Sequence, residues 1–98
     1  MNANPTVELV LCKLKPGVSE QAYIQANRDI EPIVAAMPGF LKMDLLKTND
    51  GYWVGMVHWA TAENALQAAQ QFPHMPEAQS LEAMLDVNTV QMFHLHSV

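Results

Sequence analysis

His74 stands in the segment Phe72-Pro73-His74-Met75, where a proline interrupts otherwise helical patterning. Such a break frees backbone groups and lets a ring turn inward or out to solvent, and imidazole is the side chain best suited to exchange protons near neutral pH. Turned inward, His74 is a general acid–base; turned outward, it is a solvated or capping residue at a helix joint. His94 and His96 are two apart, so on a strand they share a face. His-x-His is a real metal-ligand spacing, and Glu8 on a neighbouring strand could add a carboxylate if the register allowed. A metal site needs a third ligand within reach, and His58 falls on another strand. The expectation is therefore partly solvated histidines and no metal. Cys12 is the single cysteine, so it forms neither an internal disulfide nor a thiolate cage. Mid-strand in apolar surroundings, it reads as an inert buried thiol. There is no nucleophile–base–orienter set, no phosphate-binding glycine loop and no dinucleotide fingerprint. No organic cofactor is expected.

The elements that must position these residues follow from periodicity and punctuation. Residues 6–14 are rich in Val and Leu, and Lys15-Pro16-Gly17 stops them, which predicts a strand. Ser19 offers an N-cap with Glu20 in the first turn. Tyr23, Ala26, Ile30, Ile33, Val34 and Met37 then recur at helical steps, with Tyr23 facing inward. Pro32 inside this stretch should kink the helix or close its first segment. Pro38-Gly39 ends it. Phe40–Lys47 and residues 52–59 are extended runs joined through Asp50-Gly51, a hairpin signal. Thr61 caps a second helix with Ala62, Ala65, Leu66 and Ala69 as its buried stripe up to Phe72. Helical turns resume near Pro76 with Ala78, Leu81, Ala83, Met84 and Leu85 apolar, ending at Asp86, and residues 87–98 form the last strand. The order is βαββαβ in one domain over residues 1–98, the split βαβ arrangement. That is an α+β, ferredoxin-like fold: a four-stranded antiparallel sheet with its helices on one face.

Both faces of the predicted sheet are largely apolar. Val7, Leu9 and Leu11 alternate with Glu8, Val10 and Cys12, and Trp53, Gly55, Val57 and Trp59 alternate with Tyr52, Val54, Met56 and His58. Two helices cover one face, so the other calls for a partner sheet. A chain of 98 residues that is 50% hydrophobic and 15% charged has more apolar surface than a monomer of this size hides. A homodimer through the sheet face is the expectation. The net charge of −5 and the absence of a basic run exclude the electrostatic footprint of nucleic-acid binding and argue against anionic membranes. No apolar run approaches the roughly 20 residues of a spanning helix. Met-Asn-Ala-Asn-Pro lacks a charged n-region and an apolar h-region, so a cytoplasmic location is expected.

Several segments together resemble the antibiotic biosynthesis monooxygenase family. Trp59 followed by Ala60-Thr61-Ala62-Glu63 is similar to the family's W-E-S-x-E start of the second helix, and Phe72-Pro73-His74-Met75 to its T-P-H-M or S-P-H-F break. Asp29-Ile30-Glu31-Pro32-Ile33-Val34 through Pro38-Gly39-Phe40 looks like its first helix and P-G-F entry to strand two. The resemblance implies a dimeric α/β barrel with a pocket in each subunit between the sheet and its helices. It also implies a small apolar or aromatic ligand, with Trp59 shaping the substrate pocket; Tyr23 is added as a pocket residue only because it faces inward on the first helix. His74 would be the catalytic acid–base that takes a phenolic proton in cofactor-independent oxygenation. The bland alternative for Trp59 is a plug at the barrel rim.

Departures from the family pattern bear on the reaction. Polyketide-oxidising members carry an Asn and a Tyr where this chain has Gly55 and Ala65, and quinol-type members often carry a second His where it has Ala69. Strand one offers no Asn of the kind haem-degrading members use, so haem degradation is not expected. Three readings follow: a monooxygenase of a small phenolic or quinol compound, a non-catalytic dimeric module that binds a small ligand or another protein, and an enolising isomerase.

Overall fold

The first helix begins where Ser19 places its Oγ to accept the Ala22 N–H at 3.0 Å, satisfying one of the donors that a helix start leaves free. The computed structural model describes residues 5–98; most of the N-terminal stretch considered above for a leader lies outside the described residues. The elements are β1 (Thr6–Cys12), α1 (Glu20–Ala35), β2 (Phe40–Lys47), β3 (Trp53–Trp59), α2 (Ala62–Gln71), α3 (Pro76–Glu82) and β4 (Gln91–His96), with 3-10 turns at Phe72–His74 and Val87–Thr89. The sheet order is β2-β3-β1-β4, antiparallel throughout. The expected α+β ferredoxin-like architecture is therefore present, with the helices on one face.

Four local expectations are corrected. α1 runs unbroken through Pro32 to Ala35. Pro32 and Arg28 are both exposed, so this turn is on the solvent side of the helix, where a carbonyl that loses its intrahelical partner is tolerated, and the helix does not close there. In α2 the buried residues are Ala65 and Ala68, whereas Leu66 is exposed. The last strand starts at Gln91, not at residue 87, because Asp86 accepts the Asn88 N–H at 3.2 Å and nucleates a 3-10 turn first. β1 likewise ends at Cys12, although Leu14 still bridges to Leu85.

The β2–β3 hairpin follows its turn chemistry. Gly51 adopts a φ of +91°, and Thr48 accepts the Tyr52 N–H at 3.0 Å through its hydroxyl. At the other end of the sheet Thr61 caps α2 by accepting the Asn64 N–H at 3.0 Å, while its hydroxyl donates to Asn64 Oδ1 at 2.8 Å.

The register sorts the sheet into two faces. Opposed residues give one set of cross-strand rows: Phe40–Trp59–Thr6–His96, then Met43–Val57–Glu8–His94, then Leu45–Gly55–Val10–Met92, then Lys47–Trp53–Cys12. The sheet residues in the core belong to these rows. Trp59, with Phe40, Met43 and Val57, packs against Ile30, Val34 and Met37 of the first helical region, Ala65 and Ala68 of α2, and Ala78 of α3. Trp53 and Cys12 pack with Tyr23 and Leu85. The opposite face carries Val7, Leu9, Leu11, Leu46, Val54, Met56, Phe93 and Leu95, with Lys42, Asp44 and His58 at its β2–β3 corner. Among the described residues no helix covers it; Leu46, Phe93 and Leu95 are 51%, 45% and 43% exposed.

Cys12 is 1% exposed, and its Sγ shares a hydrogen bond of 3.6 Å with the Tyr23 hydroxyl. Burial raises the thiol above its ordinary range, a shift the Tyr23 contact only partly offsets. Because the folded chain keeps this proton to higher pH than the unfolded chain does, its contribution to stability is complete at neutral pH and is lost as the pH rises into the alkaline thiol range. Alkylation by iodoacetamide at pH 8 should be negligible in the native protein and complete after denaturation, read by mass spectrometry.

Gly39 has a φ of +83°, and a Cβ there would lie 2.2 Å from the Asn64 side chain, which Thr61 holds in place. Gly39→Ala should cost about 2–3 kcal/mol, combining left-handed strain with displacement of that contact. Thermal denaturation should show a midpoint lowered by about 10 °C or more.

Candidate functional site

The two indoles of β3 stand at opposite ends of one row set, each braced by an aromatic neighbour. Trp59 meets Phe40 edge-on at 6.0 Å between centroids, and Trp53 meets Tyr23 at 5.2 Å. Between them the same face of β3 offers only Gly55 and Val57, and above Gly55 a Cβ would meet nothing within 4 Å. The helices contribute Ala68 and Ala69 over this gap. The result is a cavity of about 200 Å³ between sheet and helices, with Gly55, Val10, Val57 and Met43 in its floor and Ile30, Val34 and Phe72 in its roof. An apolar cavity of about 150 Å³ is enough for a benzene-sized guest. Val90 and Met92 line it on the β4 side, where every strand residue is exposed, so it opens there.

Trp59 is 2% exposed and lines the cavity, and its Nε1–H is buried with no acceptor among the described residues. An orphaned donor beside an apolar cavity is a place for a ligand oxygen. Tyr23 also lines the cavity, from α1. Burial, reinforced by the Cys12 contact, pushes its hydroxyl well above the ordinary tyrosine range, so it stays protonated.

The structure does not bring His74 to these two. It lies in the 3-10 turn after α2, exposed, and is not among the lining residues, whereas its neighbours Phe72 and Pro73 are. Of the two orientations open to the imidazole at this break, the exposed one is adopted, and Phe72 lines the cavity. His94 and His96 do share the helix-side face, as their spacing implies. Register sets His96 opposite Thr6, with Nδ1 3.1 Å from Oγ1, and His94 opposite Glu8, with Nε2 3.2 Å from Oε2. His58 is on the opposite face of β3, 3.5 Å from Asp44. Among the described residues no group of three or more His, Cys, Asp or Glu could hold a metal ion.

One lining residue was not legible in the sequence. Asn27 is 7% exposed, and its Nδ2 donates to the Tyr23 carbonyl oxygen at 2.9 Å; its i+4 spacing from inward-facing Tyr23 was the available signal. Glu8, considered in the sequence only as a carboxylate beside His94 and His96, also lines the mostly apolar cavity.

Gly55 and Ala69, which replace side chains common elsewhere in the resembling family, both line the cavity, and Ala65 is buried at 1% exposure. These substitutions leave space where polar groups would stand.

Among solved structures, SnoaB, a cofactor-independent oxygenase from Streptomyces nogalater, is 17% identical. It superposes with a TM-score of 0.81 over 98% of this chain and 95% of its own. A haem-degrading protein from Mycobacterium tuberculosis is 19% identical, with a TM-score of 0.67 over 99% of this chain and 94% of its own. A conserved protein from Methanosarcina mazei is 9% identical, with a TM-score of 0.75 over 97% and 94%. No curated protein sequence matches the chain. A fold common to an oxygenase and a haem-degrading protein does not select a reaction. No described helix is long and apolar enough to cross a membrane. The family described as antibiotic biosynthesis monooxygenase matches residues 7–81. That stretch runs from β1 into α3 and takes in Trp59 and most of the cavity wall, and the chain therefore belongs to the antibiotic biosynthesis monooxygenase family.

Proposed function

We propose that the protein is a monooxygenase that takes a small planar phenol or quinol into the sheet–helix cavity and oxidises it with dioxygen, without an organic cofactor. The observation that carries this reading is the buried Trp59 Nε1–H, without an acceptor among the described residues, beside an apolar cavity that Gly55 leaves open. The rings of the ligand would lie over Gly55 and Val57, and one of its oxygens would accept from Trp59. Family membership and the likeness in fold to SnoaB, a cofactor-independent oxygenase, support the reaction type.

The chemistry closes without an added reductant. A phenol loses its hydroxyl proton and one ring hydrogen and gains one oxygen atom at that carbon, becoming a quinone, and the second oxygen atom leaves as water. The substrate supplies all the electrons. A hydrogen-bond donor on the substrate oxygen stabilises the negative charge that develops when the hydroxyl proton departs. His74 has no part in this reading, because its exposed ring is outside the cavity lining.

The working unit in this proposal is a homodimer joined through the outer sheet face, where Leu46, Phe93 and Leu95 would be withdrawn from water. A non-catalytic binding module would use the same cavity and interface. What separates it from the oxygenase is oxygen consumption.

Oxygen uptake with naphthols and hydroquinones should exceed the enzyme-free rate, and calorimetry should detect binding of unreactive naphthoquinones. Trp59→Phe removes the donor and should weaken quinone binding about tenfold, the worth of one buried hydrogen bond. Gly55→Leu fills the floor and should abolish binding while the fold persists. Quinone binding unaffected by Gly55→Leu would rule out this cavity as the site.

Light scattering at micromolar concentration should return twice the chain mass of 10.9 kDa. Leu95→Glu with Phe93→Glu on the outer face should return a monomer.

A further inference from the structure

Chemistry on a ligand whose oxygen is held by Trp59 needs a group in the cavity that accepts a proton. The lining offers few acceptors. Tyr23 is kept protonated by its burial. The Asn27 amide is engaged with the Tyr23 carbonyl and is not a base. Glu82 is exposed on α3, and its carboxylate makes no hydrogen bond among the described residues. Glu8 differs from all three. Its side chain is 17% exposed, it lines the cavity, and one carboxylate oxygen is 3.2 Å from His94 Nε2.

We propose that Glu8, held by His94, is the general base of this site, removing a proton from a ligand whose oxygen is bound by Trp59. The register supplies the geometry. Trp59 is opposite Thr6 on the neighbouring strand, and Glu8 is two residues further along the same face. The two residues are therefore diagonal cross-strand neighbours, about 7–8 Å apart and within reach of long side chains. Two such groups on one cavity wall can serve a ligand in which the oxygen and the acidic hydrogen are on the same or adjacent atoms. Two classes meet this requirement: a ketone with an enolisable benzylic C–H beside its carbonyl, and a phenol or quinol with its ionising hydroxyl.

For the ketone the step balances as follows. The α C–H bond breaks, its electron pair forms the C=C bond of an enolate, and the carbonyl π pair moves to the oxygen that faces the Trp59 N–H. The proton forms an O–H bond on Glu8. For the phenol the O–H bond breaks, its electron pair stays on oxygen as phenolate, and the proton again goes to Glu8. Neither step needs an oxidant. An ionised carboxylate only accepts hydrogen bonds, so His94 Nε2 carries the hydrogen between them and fixes which carboxylate oxygen remains for the ligand. His94 is thus a positioning residue, and Glu8 the catalytic one. The pair is on the helix side of the sheet, so covering the outer face leaves it open to the cavity. The inference rests on the cavity being the ligand site, but not on the oxygen chemistry proposed above.

The test uses 2-tetralone, a two-ring ketone with an acidic CH₂ between its ring and carbonyl. Deuterium exchange at that carbon in D₂O without oxygen is followed by NMR. The wild-type protein should accelerate exchange, and Glu8→Gln should lose about 100-fold, in the range expected for a missing general base. Binding of unreactive 1,4-naphthoquinone should change less than threefold in the same variant. His94→Ala should lose about tenfold, and His94→Gln, which restores an N–H donor, should recover most of that. Wild-type exchange at the solvent rate, or Glu8→Gln exchanging like wild type, would overturn the assignment. Exchange that depends on Glu8 in a protein that consumes no oxygen with any quinol would leave Glu8 as the base and remove the monooxygenase reading instead. If Glu8→Gln does not fold, the contrast between His94→Ala and His94→Gln decides: equal losses in both would refute the positioning role and the dyad with it.

Discussion

The distance at which the helices can approach the sheet is set by the two indoles of β3. Trp53 and Trp59 are buried at 5% and 2% exposure, at opposite ends of one face, and each is braced by an aromatic ring at a right-angled contact. Rings of this size hold the layers apart at both ends, while Gly55 between them contributes no side chain. Interiors normally close to crystalline density, and a gap that one ordinary residue would fill is therefore a constructed space. The alanines of α2 sharpen the effect. Ala65 and Ala68 let that helix sit against Trp59, yet put no bulk over Gly55.

Polarity in the cavity is arranged by the same register. Of the four cross-strand rows, the two nearest the Trp59 end carry Thr6, His96, Glu8 and His94, while the next carries Leu45, Gly55, Val10 and Met92. The apolar rows suit a ring system, and the polar rows suit the atoms that change charge. This division needs β1 to sit between β3 and β4, since only β1 touches both the indole and the histidines. The crossover topology is thus a condition for the site as well as for the core.

Local features were legible in the sequence because their causes are local. The β2–β3 hairpin follows from Asp50-Gly51 and the Thr48 hydroxyl, and the start of α1 from Ser19. Apolar alternation on β1 and β3 identified two faces that both avoid water. Phase was harder to read in α2, where Ala62, Ala65, Ala68 and Ala69 give little hydrophobic contrast and Leu66 drew the stripe to the wrong side. The start of β4 was misplaced because Asp86 and Thr89 compete for backbone groups, the Thr89 hydroxyl donating to the Asp86 carbonyl at 2.6 Å. Reach decided what could be read of the cavity. Trp59 stood out through its neighbours in sequence, and Glu8 was named beside His94 and His96 only on condition of a register that no local pattern encodes, since the pair is 86 positions apart. His74 was favoured because a proline-flanked histidine is conspicuous; which residue of such a break turns inward depends on the layer spacing, and Phe72 filled the space.

The family relationship and the cavity chemistry therefore constrain different things. Membership accounts for the fold, and by the resemblance read from the sequence the positions that would hold polar groups are here Gly55, Ala65 and Ala69. Those changes remove polarity from β3 and α2, the elements under and over the rings. They leave the β1–β4 side untouched, where a carboxylate and an imidazole already meet. A site can lose one set of polar groups and keep its function only if the charge change it must manage is handled elsewhere. In this chain the orphaned indole N–H and the Glu8 carboxylate are on the same face, one diagonal apart. That pairing suits proton removal next to a bound oxygen, a step common to enolisation and to the first stage of cofactor-independent oxygenation. The two reactions then diverge on whether dioxygen reaches the anion before a proton returns to it, which depends on how open the β4 side of the cavity remains once the ligand is seated.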